Sequence, residues 1–158
     1  MCIRDSSSAA LWCIASPTWG QVYTTGGQLI PGTAGLTPGP GVDLSGFDTP
    51  GHVLEQANLS NINLTGATIA NSDVALAAFT SSNLTSVNFT GAIINGADLG
   101  SVTGLTSAQI DSTASYASGD LDSVGLEGND LTGWSFANVN LSNSNLEATT
   151  LTLSLIHI

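Results

Sequence analysis

Acidic side chains carry most of the chemistry available to this sequence. The chain has twelve Asp and Glu, one Lys or Arg and two His, so its formal net charge at pH 7 is −11. Glu127 and Glu147 lie 20 residues apart, and Asp120 and Asp122 flank Leu121. Paired carboxylates can cleave glycosides, or can bind Ca²⁺ together with carbonyl and amide oxygens. The alternative interpretation is that these acids are solvated surface groups.

The other residue types that could do chemistry are isolated. His52 has no second His, no Cys and no carboxylate at ligand spacing, whereas protein metal sites use three or four ligands. It is either a single ligand or base, or an end-cap residue with one ring nitrogen in solvent. The sequence has no G-x-S-x-G motif. We therefore expect no catalytic, cofactor-binding or metal-binding residues and no enzymatic activity.

The charge balance also limits the partners. Direct binding to nucleic acid or to an anionic membrane requires Lys and Arg to meet phosphate groups. An enzyme acting on anionic substrates would lack the same clamp. No apolar run approaches the roughly 20 residues of a membrane span. The sequence thus predicts neither direct nucleic-acid binding nor a transmembrane segment, and a protein partner of unknown identity is the remaining expectation.

The two ends of the chain are related to each other. The chain opens MCIRDS and closes LSLIHI, and one oligonucleotide read from opposite strands encodes both. These ends resemble a sequencing adapter, so we expect residues 1–6 and 153–158 to be adapter-derived and to contribute nothing to the fold. The native part is then about Ser7 to Thr152. It contains no Lys or Arg, because Arg4 lies outside it.

An apolar run follows the opening segment. Residues 9–15 read AALWCIA and precede SPTWG, where Thr18 and Gly20 suit a signal-peptidase site. Residues 7–20 are therefore interpreted as the remnant of a secretory signal, which would place the protein outside the cell or on its surface. The alternative is an ordinary buried N-terminal strand. Cys13 then has no partner in the native part.

A strict period of five organises most of the remaining chain. Apolar residues, here called centres, recur at every fifth position in two runs. The centres are Leu54, Leu59, Leu64, Ile69, Val74, Phe79, Leu84, Phe89, Ile94 and Leu99, then Leu121, Leu126, Leu131, Phe136, Leu141, Leu146 and Leu151. This period matches neither a helix nor a strand. It predicts a solenoid whose repeats share a core with their neighbours.

The residues around the centres carry a family resemblance. Two positions before a centre the residue is mostly small, and one position before it is mostly Asn or Asp, as in ANLSN at 57–61 and ADLGS at 97–101. This pattern resembles the pentapeptide-repeat family, and the stretches STASYASGDL at 112–121 and GNDLTGWSFANVNL at 128–141 resemble its secreted bacterial members. The resemblance implies an all-β fold, a right-handed quadrilateral β-helix in which four pentapeptides make one coil. Leu59, Phe79 and Leu99 would then share one column.

The repeats divide the native part into four segments. Residues 21–50 form a Gly- and Pro-rich N-terminal cap, with Val22-Tyr23 and Leu29-Ile30 as short strands, although Leu44 is already in phase with the repeat. Residues 51–101 form the first repeat block, 102–115 an interlude, and 116–152 the second block. Tyr116 is a candidate for the first centre of that second block.

The interlude and one large side chain interrupt the pattern. Thr106 and Gln109 have the form of a capping box, which predicts one or two helical turns over 107–112, projecting as a loop between the blocks. Trp134 is large for a position two residues before a centre. It either packs beneath the interlude or serves as an exposed aromatic anchor.

The sequence is compatible with two main candidate functions. The first is a non-enzymatic secreted or surface-associated solenoid that acts as a rigid structural or protein-interaction scaffold. The alternative, which the resemblance implies for some members, is an acidic DNA mimic that binds a DNA-handling protein such as a topoisomerase. An enzyme is a distant third, since a fold does not exclude a grafted site.

The number of charges argues against the DNA mimic. DNA carries one charge per about 1.7 Å of axis, and about four coils span roughly 20 Å. A mimic would need about 12 aligned charges, whereas the predicted solenoid has eight acids on several faces. These are Glu55, Asp73, Asp98, Asp120, Asp122, Glu127, Asp130 and Glu147.

The C-terminal end of the pattern predicts self-association. The repeat runs in phase through Leu146 and Leu151, with no Pro or Lys to blunt the edge. An open coil exposes unpaired backbone groups and apolar centres. We therefore expect copies of the chain to associate through this coil.

Overall fold

The computed structural model describes residues 2–4, 11–13, 22–30, 33, 35–46, 48–49 and 52–156. Few of these form extended strands, because most sides of the solenoid pair through a single residue. The elements are β1 (Cys2–Arg4), β2 (Leu11–Cys13), β3 (Asp48–Thr49), β4 (His52–Val53), α1 (Ser107–Asp111), α2 (Ala114–Ala117), β5 (Ser135–Phe136) and β6 (Leu155–Ile156). Neither helix in this part of the chain is long and apolar enough to cross a membrane.

The chain from Asn58 to Thr103 winds with a repeat of 20 residues. Parallel backbone bridges join Asn58 to Ala78 and Ala78 to Asp98, and three more ladders of the same spacing start at residues 63, 68 and 73. Four ladders at five-residue intervals give each coil four sides. The fold is therefore a solenoid of stacked pentapeptide coils, as the period of five predicts.

The predicted column of centres is confirmed. The Leu59 N–H donates to the Ala78 carbonyl at 2.8 Å, and the Phe79 N–H donates to the Asp98 carbonyl at 2.7 Å. Leu59, Phe79 and Leu99 are completely buried, and every centre from Leu54 to Leu99 is at most 1% exposed. Phe79 and Phe89 also meet edge to face, with ring centroids 5.9 Å apart.

A hairpin lengthens the first coil. Asp43 pairs with Thr68, 25 residues on, because β3 and β4 pair antiparallel and occupy the additional residues. Leu44 is completely buried, and its N–H donates to the Thr68 carbonyl at 2.6 Å. The first coil therefore begins near residue 43, within the segment that the sequence assigns to the cap.

Residues 22–30 cap the start of the solenoid. Tyr23 pairs antiparallel with Leu29, and Thr24 pairs antiparallel with Ala57 of the first coil. Val22 and Ile30 are buried in the same core. The predicted extended pieces at 22–23 and 29–30 are present, although each pairs through a single residue.

The interlude is part of the solenoid, so the prediction that it projects as a loop is wrong. The Gly91 N–H donates to the Ser112 carbonyl and the Ala114 N–H donates to the Ala92 carbonyl, both at 2.9 Å. The Ser115 hydroxyl accepts the Ile94 N–H at 2.9 Å. The two short helices thus replace one side of a coil, because their buried residues and backbone groups complete the ladder beneath them.

Tyr116 is not a repeat centre. It lies partly buried on α2, and its hydroxyl donates to the Ser135 carbonyl at 2.8 Å. The second block instead begins stacking at Asp120, which pairs with Asn140. The helical backbone turns the Tyr116 side chain out of the inward phase that a pentapeptide would have given it.

The closing segment continues the solenoid. β6 pairs in parallel with β5, and the Ser154 hydroxyl donates to the Leu131 carbonyl at 2.5 Å. The prediction that residues 153–158 contribute nothing to the fold is therefore wrong for Ser154 and β6, because their backbone follows the 20-residue register. At the other end, β1 pairs antiparallel with β2, which places Cys2 opposite Cys13.

Candidate functional site

Half of the eight solenoid acids accept hydrogen bonds from its backbone. The side chain one position before a centre accepts the N–H two residues further on, at 2.9–3.2 Å. This position needs a side-chain acceptor, which either Asp or Asn supplies. The acceptors are Asp43, Asn58, Asn63, Asp73, Asn83, Asn88, Asp98, Asp120, Asp130, Asn140 and Asn145. An Asp here therefore does not by itself indicate catalysis.

The acids are distributed unevenly around the coil. The side built on Leu54, Val74 and Leu121, here called the first acidic face, carries Glu55, Asp73, Asp120 and Asp122. The next side around the coil, here called the second acidic face, carries Asp98, Glu127 and Glu147. Seven of the eight solenoid acids thus lie on two neighbouring faces, which is more clustered than the distribution over several faces expected from the sequence.

Glu127 and Glu147 lie on neighbouring coils, as their spacing predicts. The Gly128 N–H donates to the Glu147 carbonyl at 2.9 Å, and the Glu127 carboxylate lies over Gly100 beside Asp98. Within the described residues, no group of three or more His, Cys, Asp and Glu could hold a metal ion. His52 lies in β4 opposite Thr49, and its side chain is outside the described part.

A small cleft lies where the interlude leaves the solenoid. The ladder that joins Asn63, Asn83 and Thr103 stops at Thr103, because the chain turns into α1 after Thr106, and it resumes with Asp130. The cleft has a volume of about 190 Å³. Its lining residues are Val102, Gly104, Leu105, Gly128, Asn129, Asp130 and Trp134. We call this feature the junction cleft.

Trp134 forms the inner wall of the junction cleft. Its side chain is buried, and its ring centroid lies 6.1 Å from that of Phe136. It shares the cleft with Leu105 of the interlude. Of the two interpretations of this residue, packing against the interlude is therefore confirmed.

Asn129 is held in place by the solenoid. The side chain is 8% exposed, and its Nδ2 donates to the carbonyls of Leu99 at 2.8 Å and Leu126 at 2.9 Å. Both amide hydrogens are used, whereas Oδ1 accepts no hydrogen bond from any described residue. The cleft thus contains an oriented acceptor on a side chain that cannot rotate away.

Asp130 adds a charged acceptor to the same wall. Its Oδ1 accepts the Thr132 hydroxyl at 2.5 Å and the Thr132 N–H at 3.0 Å. These two bonds, the hydroxyl first, hold the pKa of the Asp130 carboxyl below its usual value of 3.8. Asp130 is therefore ionised at neutral pH, and the junction cleft is negatively charged.

Asp111, in the interlude, also has a shifted pKa. Burial raises the pKa of Asp111 above 3.8, and the Tyr116 hydroxyl opposes this shift in part. Burial, followed by the Asp111 charge, raises the pKa of Tyr116. The two side chains connect α1 to α2, and Tyr116 connects both helices to β5. This arrangement explains the packing of the interlude without a catalytic role.

Comparisons with known proteins agree with the repeat. The family model for pentapeptide repeats matches residues 41–74 and 62–100 with eight copies. Solved structures of three pentapeptide repeat proteins are also similar. HetL from the cyanobacterium Nostoc sp. strain PCC 7120, described as involved in heterocyst differentiation regulation, is 18% identical, with a TM-score of 0.29. The match covers 76% of this chain and 60% of HetL.

The two further structures are similarly distant. Rfr23 from the cyanobacterium Cyanothece 51142 is 21% identical, with a TM-score of 0.29 over 71% of this chain and 69% of Rfr23. A protein from the Arabidopsis thaliana thylakoid lumen is 18% identical, with a TM-score of 0.21 over 71% of this chain and 63% of that protein. No curated protein matches the chain. On the repeat and the family-model match, residues 41–100 of this chain belong to the pentapeptide-repeat family.

Proposed function

We propose that this protein is a non-enzymatic scaffold, a right-handed quadrilateral β-helix that presents its faces to a protein partner. One observation supports this role above the others: the chemistry-bearing side chains are largely used to build the coil. Asp73, Asp98 and Asp120 accept backbone N–H groups at 2.9–3.2 Å, so they brace the faces. A surface braced at many of its repeats suits recognition of a partner without rearrangement.

We interpret residues 7–20 as the remnant of a secretory signal. This interpretation supports a location outside the cell or on its surface. The uncharged polar side chains on the other two faces, such as Thr65, Thr85 and Thr90, are compatible with that setting. The proposal is thus a secreted or surface-exposed interaction scaffold.

Native-state hydrogen exchange on the full chain tests the scaffold. The N–H groups of Leu59, Phe79 and Leu99 donate along one ladder at 2.7–2.8 Å. A rigid scaffold predicts that these groups and the Leu121 N–H exchange with opening free energies within about 1 kcal/mol of one another, because opening requires unfolding of the stack. If the second block opened several kcal/mol more easily than the first, the molecule would be hinged and the proposal would fail.

The two acidic faces favour a second candidate, an acidic DNA mimic that binds a DNA-handling protein. Its weakness is charge density, because a DNA segment of comparable length, about 20 Å, carries about 12 charges. Competition between this chain and duplex DNA for a type II topoisomerase tests it. The scaffold proposal predicts unchanged supercoiling activity, whereas inhibition that is lost in Asp120→Asn/Asp122→Asn would favour the mimic.

A further inference from the structure

The junction cleft is sized for one side chain. Pockets for drug-sized ligands measure roughly 300–1,000 Å³, whereas this cleft has about 190 Å³. It lies on a side of the solenoid that is otherwise closed by ladder pairing. A whole metabolite would remain largely in solvent here, whereas the volume matches a single long side chain of another protein.

Thr103 and Asp130 do not pair as their equivalents do in other coils, and this missing backbone pair leaves hydrogen-bonding groups in the cleft. In neighbouring coils the pair is made, since the Asn83 N–H donates to the Ile62 carbonyl at 3.0 Å. At the junction, the equivalent Val102 carbonyl and Asp130 N–H have no partner among the described residues. The Gly104 N–H and the Asp130 carbonyl, equivalent to the Leu84 N–H and the Thr103 carbonyl that pair at 2.7 Å, also have no partner among the described residues. With Asn129 Oδ1 and the second carboxylate oxygen of Asp130, the junction offers four acceptor oxygens and two donors without such a partner. It is therefore suited to a ligand rich in donors.

The residues that line the junction cleft indicate which kind of hydrogen-bond donor it suits. Trp134, which is 9% exposed, and Leu105 supply a small apolar surface in a lining that is mainly polar, against which the methylene stem of a Lys or Arg packs while its charged end reaches a polar group. Asp130, a solvent-exposed residue of the lining, carries the negative charge of the cleft, and Glu127 and Asp98 lie on the adjoining second acidic face. Both shape and charge thus favour a cation on an apolar stem.

We infer that the junction cleft binds one Lys or Arg side chain of a partner protein, through Asp130, Asn129 and the wall formed by Trp134 and Leu105. This inference rests on the scaffold function proposed above and names the chemistry of its partner. A second copy of the chain is a poor source of the side chain, because the sequence contains a single Lys or Arg, Arg4. The charge of −11 instead suits a basic partner.

The test is a ¹⁵N NMR titration of the full chain with N-acetyl-arginine amide. Specific binding predicts saturable shifts of the Trp134 indole N–H and of the Asn129 side-chain amide. N-acetyl-citrulline amide, which has the same shape without the charge, should produce less than a fifth of these shifts at the same concentration. Trp134→Phe identifies the indole signal among the three tryptophans.

Two matched variants separate the cleft from general attraction to an acidic surface. Asp130→Asn keeps the acceptor for the Thr132 N–H but removes the charge, and it should weaken binding about fivefold. Asp73→Asn makes the same change where Ala75 is the partner, on the first acidic face, and should weaken it less than twofold. Equal weakening in both variants, or no shift at Trp134, would overturn the inference. Uniform hydrogen exchange in the same sample would leave the scaffold standing, so the two failures are distinguishable.

Discussion

At the residue scale, the corners of the coil impose a backbone conformation that the apolar pattern does not reveal. Among the residues that the structure describes, every non-glycine residue with positive φ lies two positions after a centre. These residues are Gln56, Asn61, Asn71, Leu76, Ser81, Ser86, Ser101, Ser123, Asn138, Asn143, Ala148 and Leu153. The left-handed region costs an L-residue roughly 1–2 kcal/mol, and Asn and Gly tolerate it best. Several corners of this chain are therefore strained.

Leu76 is the clearest of these strained corners. It has a φ of 57° and is 52% exposed, and Gly96 leaves room for its side chain on the next coil. We predict that Leu76→Asn raises the free energy of unfolding by about 1 kcal/mol, because Asn adopts this conformation at lower cost. Urea denaturation measures the change. Leu29→Asn, at an equally exposed leucine without positive φ, serves as the control, and an equal gain there would show that loss of apolar exposure was the cause.

The Thr132 hydroxyl sets the acidity of Asp130. We predict that Thr132→Val moves the folded-state pKa of Asp130 back towards 3.8, while the N–H bond keeps part of the shift. A lowered folded pKa contributes stability that is present above 3.8 and is lost as pH falls through the folded value. The variant should therefore lose less stability on acidification than the parent. Carbonyl ¹³C titration of Asp130 reads the pKa, and an unchanged value would contradict the assignment.

At the element scale, the sequence predicts how the interlude begins. It does not predict the hydrogen bonds by which the interlude packs on the preceding coil. The capping box at Thr106 and Gln109 is present, with the Thr106 N–H donating to Gln109 Oε1 at 2.8 Å. The other end of the same amide donates to the carbonyls of Leu84 at 2.8 Å and Val87 at 3.0 Å. Local spacing reveals the cap, whereas the tertiary bonds depend on how the helix lies over the preceding coil.

Gln109 is therefore expected to be essential for the stability of the junction. Gln109→Glu keeps the capping acceptor but removes both donors and places a charge beside two carbonyls. We predict a loss of about 2 kcal/mol in the free energy of unfolding. The Val87 carbonyl loses its partner, whereas the Leu84 carbonyl keeps the Val87 N–H at 3.1 Å, and an unsatisfied, partly buried acceptor costs about 1–3 kcal/mol. Ala108→Glu adds the same charge at the exposed neighbouring position and should cost under about 0.5 kcal/mol. Similar losses in the two variants would mean that charge alone, and not the side-chain bonds, explains the effect.

At the scale of the whole molecule, the period of five predicts a stacked solenoid, and the family resemblance adds its four sides and the buried column of Leu59, Phe79 and Leu99. The register across the interlude was not predictable. Leu99 and Leu121 are the nearest centres in sequence, yet the Leu99 N–H donates to the Gly125 carbonyl, which places Leu99 beneath Leu126. Two helices replace a side of the coil with a different number of residues, and no spacing rule for pentapeptides gives that number.

The last coil remains exposed along its edge. Leu151 is 39% exposed and Leu153 is 85% exposed, in contrast to the buried centres of the first block. We predict that the chain associates as its concentration rises through the high micromolar range, because apolar side chains and unpaired edge groups meet there. Leu153→Lys should suppress the association, as measured by light scattering. A clean monomer of the parent chain at the same concentration would show that the edge is already protected.

Continuity of the stack across the interlude is the central claim, because it builds the junction cleft. Asp98 pairs with Gly125, 27 residues on, and not with Ser118 at the 20-residue spacing. Bridged neighbours have Cα atoms about 5 Å apart, within the range of a disulfide. In a chain with Cys2 and Cys13 changed to Ser, Asp98→Cys/Gly125→Cys should form a disulfide under mild oxidation, and Asp98→Cys/Ser118→Cys should stay reduced. The opposite result, with only the second pair oxidised, would contradict the account.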